Sequence, residues 1–170
     1  RFALQLVALL VPRPGELRKA KWTEFDLEGA VWSVPADRMK MRRPHRVPLA
    51  KQALAYLADL KEITGNSEFV LPSLVSTVRV MSENTLNTAL RRMGFGADEM
   101  TSHGFRATFS TLANESGLWN PDAIERALAH VEENDTRRAY ARGEHWDERV
   151  RMAEWWAGFL DQVRTEFISK

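Results

Sequence analysis

Between Trp22 and Ala50 the chain changes its period, and that change limits what it can fold into. The stretch "WTEFDLEGAVWSVPADRMKMRRPHRVPLA" has strand-like pieces near 22–27, 31–34 and 46–49, with Gly29 as a turn signal. Three short antiparallel strands fit there. On either side the apolar residues return at helical spacing. Residues 1–11 read as an apolar helix stopped by Pro12. "RPGELRKAKW" reads as a second short helix, because Pro14 suits a first helical position and Glu16 a first turn. From Lys51, "KQALAYLADLKEITG" carries Leu54, Leu57, Leu60 and Ile63 on one face and ends at Gly65. A loop with one short extended piece, "EFVLPS", follows. Ser82 is expected to cap "ENTLNTALRRMG", Ser102 to cap "HGFRATFSTLANES", and Asn120 with Pro121 to start "NPDAIERALAH". Asp135 is expected to cap a further short helix containing Tyr140. Over 144–167, Trp146, Val150, Ala153, Trp156, Leu160, Val163 and Phe167 recur as in a long amphipathic helix. The fold class is therefore mainly α with a small three-stranded antiparallel sheet (α+β), with residues 1–170 as a single domain.

A length of 170 residues supports one domain with a real core and is short for two. No cysteine is present, which removes disulfides, thiol nucleophiles and cysteine metal sites and fits a reducing cytoplasm. No apolar run approaches the roughly 18–20 residues that span a bilayer. The chain begins "RFALQLVALL" without methionine, and "VPRPGEL" follows where a signal peptide would have its small-residue cleavage site. The start is expected to be the cut edge of a larger protein, with an N-terminal domain missing. The net charge is only +1, which does not mark a dedicated nucleic-acid binder. The distribution tells more. "RMKMRRPHR" (38–46) puts five Lys/Arg and a histidine in nine residues, and Arg91–Arg92 and Arg137–Arg138 form further pairs. The acids gather elsewhere, as in "EEND", so one basic face is possible.

Four places could carry chemistry. In "HGFR", His103 and Arg106 stand three apart near a helix start, where free backbone N–H groups favour an anion. Arg13 lies between two prolines that stiffen its backbone, with Glu16 placed to orient it. Lys40 falls where a hairpin connection would project it, and an ammonium can both bind phosphate and donate a proton. His130 closes a helix just before the acidic loop. Each signal also has a bland reading as a solvated charge or a helix-end residue.

Read in order, Arg13 followed by Gly-Glu-Leu, a lysine in a β-hairpin ahead of "RVPL", "HGFR", "LAH" and a tyrosine ten residues on resemble the phage integrase family of tyrosine recombinases. The resemblance spans essentially the whole chain, as the family's catalytic domain. It is nearest to prophage and genomic-island integrases, with similar "RPGEL", "MK…RPH.VPL" and "ERALAH…AY.R" stretches. It implies a catalytic set of Arg13, Lys40, His103, Arg106, His130 and Tyr140, with Glu16 supporting the first arginine. Arg38, Arg42, Arg43, Arg46, Arg91, Arg92, Arg137 and Arg138 are the candidate DNA contacts. Pro12 and Pro14 depart from the commoner Gly-x-Arg-x-Ser/Gly-Glu form, and Arg38, Arg42 and Arg43 crowd the loop of Lys40.

The implied reaction is attack of Tyr140 on a DNA phosphodiester, giving a 3′-phosphotyrosine and a free 5′-hydroxyl without ATP, metal or other cofactor. The implied partners are double-stranded DNA at an attachment site, a tetramer formed on that DNA through the C-terminal helix or segment, and an accessory directionality factor. In the family a separate N-terminal domain closes a C-shaped clamp around DNA. No membrane partner is implied, and the expected location is the prokaryotic cytoplasm, at the nucleoid when DNA-bound. Three rivals stay open at this stage: type IB topoisomerase-like strand passage, a non-catalytic DNA-binding relic of the fold, and a metal-dependent nuclease.

Overall fold

The computed structural model describes residues 1–40, 42–130 and 144–169. Helix α1 (Phe2–Leu10) ends at Val11, whose backbone is left-handed at φ 43°, immediately before Pro12. Pro12 has no N–H to offer and disfavours helical geometry in the residue before it, so the helix stops there. Helix α2 (Pro14–Arg18) then starts on a proline at its first position.

Strands β1 (Phe25–Asp26), β2 (Val31–Val34) and β3 (His45–Pro48) form one antiparallel sheet in the order β1-β2-β3. Phe25 pairs with Trp32, and Val34 with His45. The β1–β2 turn is held by the Gly29 N–H donating to Asp26 Oδ1 at 2.8 Å. Across that pair Phe25 stacks on the fully buried Trp32 with ring centroids 5.2 Å apart. The basic loop leaves the sheet between β2 and β3, as the sequence predicts.

Helix α3 (Lys51–Thr64) buries Ala53, Leu57 and Leu60. A second, two-stranded antiparallel sheet follows, made of β4 (Pro72–Ser73) and β5 (Ser76–Val80). The sequence shows only the first extended piece, because β5 lacks alternation: Thr77, Val78 and Arg79 are all exposed. Helices α4 (Thr85–Arg92), α5 (Gly104–Glu115), α6 (Pro121–Ala127) and α7 (Trp146–Ile168) complete the described chain.

Two start signals shift. Asn84, not Ser82, precedes α4, and at α5 the Gly104 N–H donates to Thr101 Oγ1 at 3.1 Å while Ser102 is buried. The α6 start is as expected, with Asn120 Oδ1 accepting from the Asp122 N–H at 2.9 Å. The helix expected around Tyr140, capped by Asp135, lies outside the described residues.

Two apolar clusters form the core. The larger gathers Leu6, Leu10, Leu17, Trp32, Val47, Leu57 and Val70 from α1, α2, the sheet, α3 and the segment after it. The smaller joins Val11 to Phe109 and Ala113 of α5, Ala123 and Ile124 of α6, Leu128, and Met152 and Trp156 of α7. Trp156 also donates from Nε1 to the Ala8 carbonyl at 2.8 Å, pinning α7 to α1. The buried stripe of α7 is Arg149, Met152, Trp156 and Ala157, which keeps Trp156 of the expected apolar set and takes Arg149 and Met152 one residue before Val150 and Ala153. Val163, Phe167 and Ile168 are exposed on its last turns. Among the described residues no helix is long and apolar enough to cross a membrane.

Candidate active site

The two clusters meet where α1 ends and α6 ends, and an arginine pair is assembled at that seam from local rules. Arg13 sits at φ −64°, ψ 135° between its prolines and precedes α2. Its backbone N–H donates to Glu16 Oε2 at 2.9 Å and its Nη1 to Glu16 Oε1 at 3.0 Å. One buried carboxylate therefore fixes both the backbone and the guanidinium of the same residue. The remaining Nη2 donates to the Ala129 carbonyl at 3.2 Å, just past α6. About a quarter of the side chain, 26%, stays exposed, so the group is fixed but reachable.

Arg106 comes from α5 and is only 4% exposed. Nη1 donates to the Val11 carbonyl and Nη2 to the Leu128 carbonyl, both at 2.6 Å. Nη2 also lies 3.3 Å from His130 Nε2. Burial, and then the Arg13 charge, lower the Arg106 pKa from 12.5 to about 10, with Glu16 and Glu125 pulling the other way. The group remains a cation at neutral pH, held in a medium where its field is poorly screened.

His130 Nδ1 is 2.8 Å from Glu125 Oε2. In the neutral imidazole this puts the proton on Nδ1, donated to the carboxylate, and leaves Nε2 to accept from Arg106. Glu125, one turn back on α6, thus orients the ring. Sequence reasoning missed it, although the "ERALAH" stretch contains it five residues before the histidine.

The structure brings Arg13, Glu16, Arg106 and His130 together. Two other expected residues stand apart. Lys40 is exposed on the β2–β3 connection, and His103 is exposed at the start of α5, with its carbonyl accepting the Arg106 N–H at 3.1 Å. No hydrogen bond ties either side chain to the arginine pair. Tyr140, Arg137 and Arg138 lie outside the described residues.

Of the other expected DNA contacts, Arg42, Arg43 and Arg92 are exposed. Arg46 is exposed too, pairing with Glu144 at 3.5 Å and lying 4.1 Å over the Trp146 ring. Arg38 and Arg91 spend their guanidiniums inside the chain. Arg38 pairs with buried Glu24 and donates to the Glu16 carbonyl, bracing the residue that holds Arg13. Arg91 donates to the Asn87 and Met100 carbonyls.

The pattern of the phage integrase family matches residues 1–145, a span that includes Arg13, Lys40, His103, Arg106, His130 and Tyr140. The chain belongs to the phage integrase family. Within that family it is 44% identical over 183 residues to the integrase of Enterobacteria phage P4, covering 99% of this chain and 42% of that one. The chain thus spans less than half the length of that relative. In fold, this phage integrase family member is similar to the XerA recombinase, with a TM-score of 0.62 at 19% identity over 82% of this chain and 55% of the other. It is also similar to lambda integrase (residues 75–356) in a dimer bound to a COC′ core site, with a TM-score of 0.57 at 22% identity over 85% of this chain and 52% of the other. Those two similarities carry the fold alone.

Proposed function

We propose that the chain is the catalytic part of a site-specific DNA recombinase that integrates and excises mobile DNA through a phosphotyrosine. The observation that carries the reading is the seam: two arginines from different elements, one clamped by Glu16 and the other by two carbonyls, converge beside an imidazole. That is an anion site for a tetrahedral phosphate in transfer. Its donors are aimed before substrate arrives, so little reorganisation is needed when charge develops.

In the proposed reaction the Tyr140 phenolic oxygen attacks the scissile phosphorus in line. The new P–O bond to tyrosine forms as the bond to the 5′-oxygen breaks, leaving the DNA 3′-end on the protein. Arg13, Arg106 and His130 take the non-bridging oxygens. Lys40, on its exposed loop, protonates the departing 5′-oxygen, and His103 helps remove the tyrosine proton. Rejoining is the reverse reaction with a different 5′-hydroxyl, and the phosphotyrosine conserves the bond energy throughout.

Double-stranded DNA is the proposed substrate, bound by the exposed Arg42, Arg43, Arg46 and Arg92 together with Arg137 and Arg138. Phosphate contacts of this kind give salt-sensitive affinity rather than sequence choice. A tetramer on DNA, docked through the exposed end of α7, and an accessory directionality factor complete the proposal. A protein that stays monomeric on DNA in solution scattering would remove the docking step.

The test is a covalent adduct. Duplex DNA from the junctions of the element encoding the chain should become attached to the protein by its 3′-end. Tyr140→Phe should abolish the adduct, and chelator should leave it intact. An adduct that survives Tyr140→Phe places the nucleophile elsewhere, and cleavage that stops in chelator points to metal-dependent hydrolysis.

A further inference from the structure

Lys40 is exposed, yet the chain immediately behind it is anchored. Arg38 ends the short 3-10 turn Ala36–Arg38 on the β2–β3 connection. Its guanidinium is largely buried and works as a two-armed link. Nη1 pairs with Glu24 Oε1, and Nη2 donates to the Glu16 carbonyl. Glu24 is itself buried, and its second oxygen, Oε2, accepts from Nε1 of the fully buried Trp32 at 2.9 Å. Glu16 in turn holds the backbone N–H and the guanidinium of Arg13 through its carboxylate. A continuous run of bonds therefore leads from the sheet, through Glu24 and Arg38, to the clamp on Arg13. On the other side of Arg38, Met39 is buried in the larger cluster, and its carbonyl accepts from the Arg42 N–H at 3.0 Å. The Lys40 backbone follows directly on these fixed points, with its Cα at most about 7 Å from that of Arg38.

We propose that Arg38 is a positioning residue that ties the root of the Lys40 loop to the clamp on Arg13, with Glu24 as its anchor. It keeps the proton donor for the leaving oxygen in register with the arginine on the non-bridging oxygens. The inference rests on reading Lys40 and Arg13 in those roles. It gives Arg38 work inside the molecule in place of the DNA contact that its basic neighbours suggest. In this role Arg38 does not touch the substrate.

The residue types fit the task. Two acceptors on different elements, a carboxylate just before β1 and a carbonyl in α2, need donors at a fixed separation. A planar guanidinium supplies that fork, whereas a lysine ammonium is a single point on a flexible stem. Glu24 is shared as well: Trp32 holds one oxygen and so fixes the direction in which the other meets Arg38. A buried ion pair contributes little net stability over apolar side chains of the same size, because both charges must leave water. What this pair adds is a defined geometry between the loop and α2.

The test measures adduct formation at saturating duplex DNA for wild type, Arg38→Met and Arg38→Lys. Each is run on ordinary DNA and on DNA with bridging sulfur at the 5′ position, whose leaving group needs no proton. Arg38→Met should slow cleavage of ordinary DNA on the order of 100-fold, as small displacements of reacting groups do. The sulfur DNA should recover a large part of that loss. Arg38→Met also leaves Glu24 without its cation, so melting should fall, and Arg38→Lys should regain melting temperature without regaining the rate on ordinary DNA. An equal loss on both DNAs, no loss, or full rescue by lysine overturns the proposal. If Arg38→Met does not fold, Glu24→Gln, which keeps an acceptor for Trp32 and weakens the pair, carries the same comparison of the two DNAs. The DNA-free chain gives an independent readout. In Glu24→Gln the backbone amide NMR signals of Arg13 and Lys40 should both move, and signals that stay put sink the tie. If wild type forms no adduct with either DNA, the recombinase reading fails, while these signals still decide the role of Arg38.

Discussion

At the seam between the two cores, Arg106 is 4% exposed and its guanidinium is spoken for by the Val11 and Leu128 carbonyls. On the β2–β3 connection, Lys40, Arg42 and Arg43 are exposed. The difference fits what each group would do in the proposed reaction. Donors that stabilise growing charge on a phosphate work best when already fixed, because reorganisation at the moment of reaction would cost part of the gain. A lysine that must follow a departing oxygen needs reach and a solvated stem. The molecule builds the first kind of group where two cores meet and the second where it has least structure.

Breaking the rigid side should have the largest effect. Arg106→Lys offers one ammonium where a planar fork served two carbonyls, so adduct formation should fall on the order of 100- to 1,000-fold. Melting should fall as well, because leaving a buried carbonyl without its donor costs about 1–3 kcal/mol. Glu16→Gln is the next step down. Arg13 keeps its prolines but loses its charged partner, and cleavage measured at saturating DNA should drop roughly tenfold, for about 1.4 kcal/mol. An unchanged rate would mean that the prolines alone suffice to mount Arg13.

Lys40→Ala sharpens the comparison from the exposed side. Cleavage should slow strongly, yet unfolding stability should stay within about 0.5 kcal/mol of wild type, as for other exposed substitutions. A DNA with bridging sulfur at the 5′ position, whose leaving group needs no proton, should recover most of the rate. If Lys40→Ala melts as early as Glu16→Gln, the loop is not the loosely built region described.

A last effect concerns pH and is read in stability rather than in cleavage. Folding, through burial first and then the Arg149 charge, depresses the His45 pKa below its unfolded value of 6.5, so the unfolded chain takes up that proton first. The stability this neutral ring contributes is present above pH 6.5 and is lost as pH falls from about 6.5 toward about 3. Urea midpoints at pH 7 and pH 5 should therefore draw apart more in wild type than in His45→Asn.

The parts of this architecture written locally were legible in the sequence. Pro12 and Pro14 announce the α1–α2 corner, Asn120–Pro121 starts α6, and three strand pieces with Gly29 mark the sheet. Order along the chain, from Arg13 to "HGFR" to "LAH", located the arginine pair and its histidine. What sequence could not separate were residues whose role depends on distant partners. Arg38 and Arg91 look like their exposed neighbours in composition, yet one braces Glu16 and the other binds the loop before α5. Glu125 acts through a contact with the His130 ring that no periodicity describes. The β4–β5 hairpin was missed because its second strand is exposed on consecutive residues and so shows no alternation.

Of the three carbonyls that receive Arg106 and Arg13 at the seam, two come from Val11 and Ala129, at φ 43° and 50°. A side chain in that left-handed region costs about 1–2 kcal/mol. Glycine would remove the cost, and at Ala129 it would give up one half-buried methyl against the larger cluster. It would also widen the range of directions in which the carbonyl can point. A chain bred for hardiness would drift toward glycine at 129, and one bred for fast strand cleavage would keep its alanine. The aim of Arg13 is thus kept by a residue the fold alone would prefer to exchange.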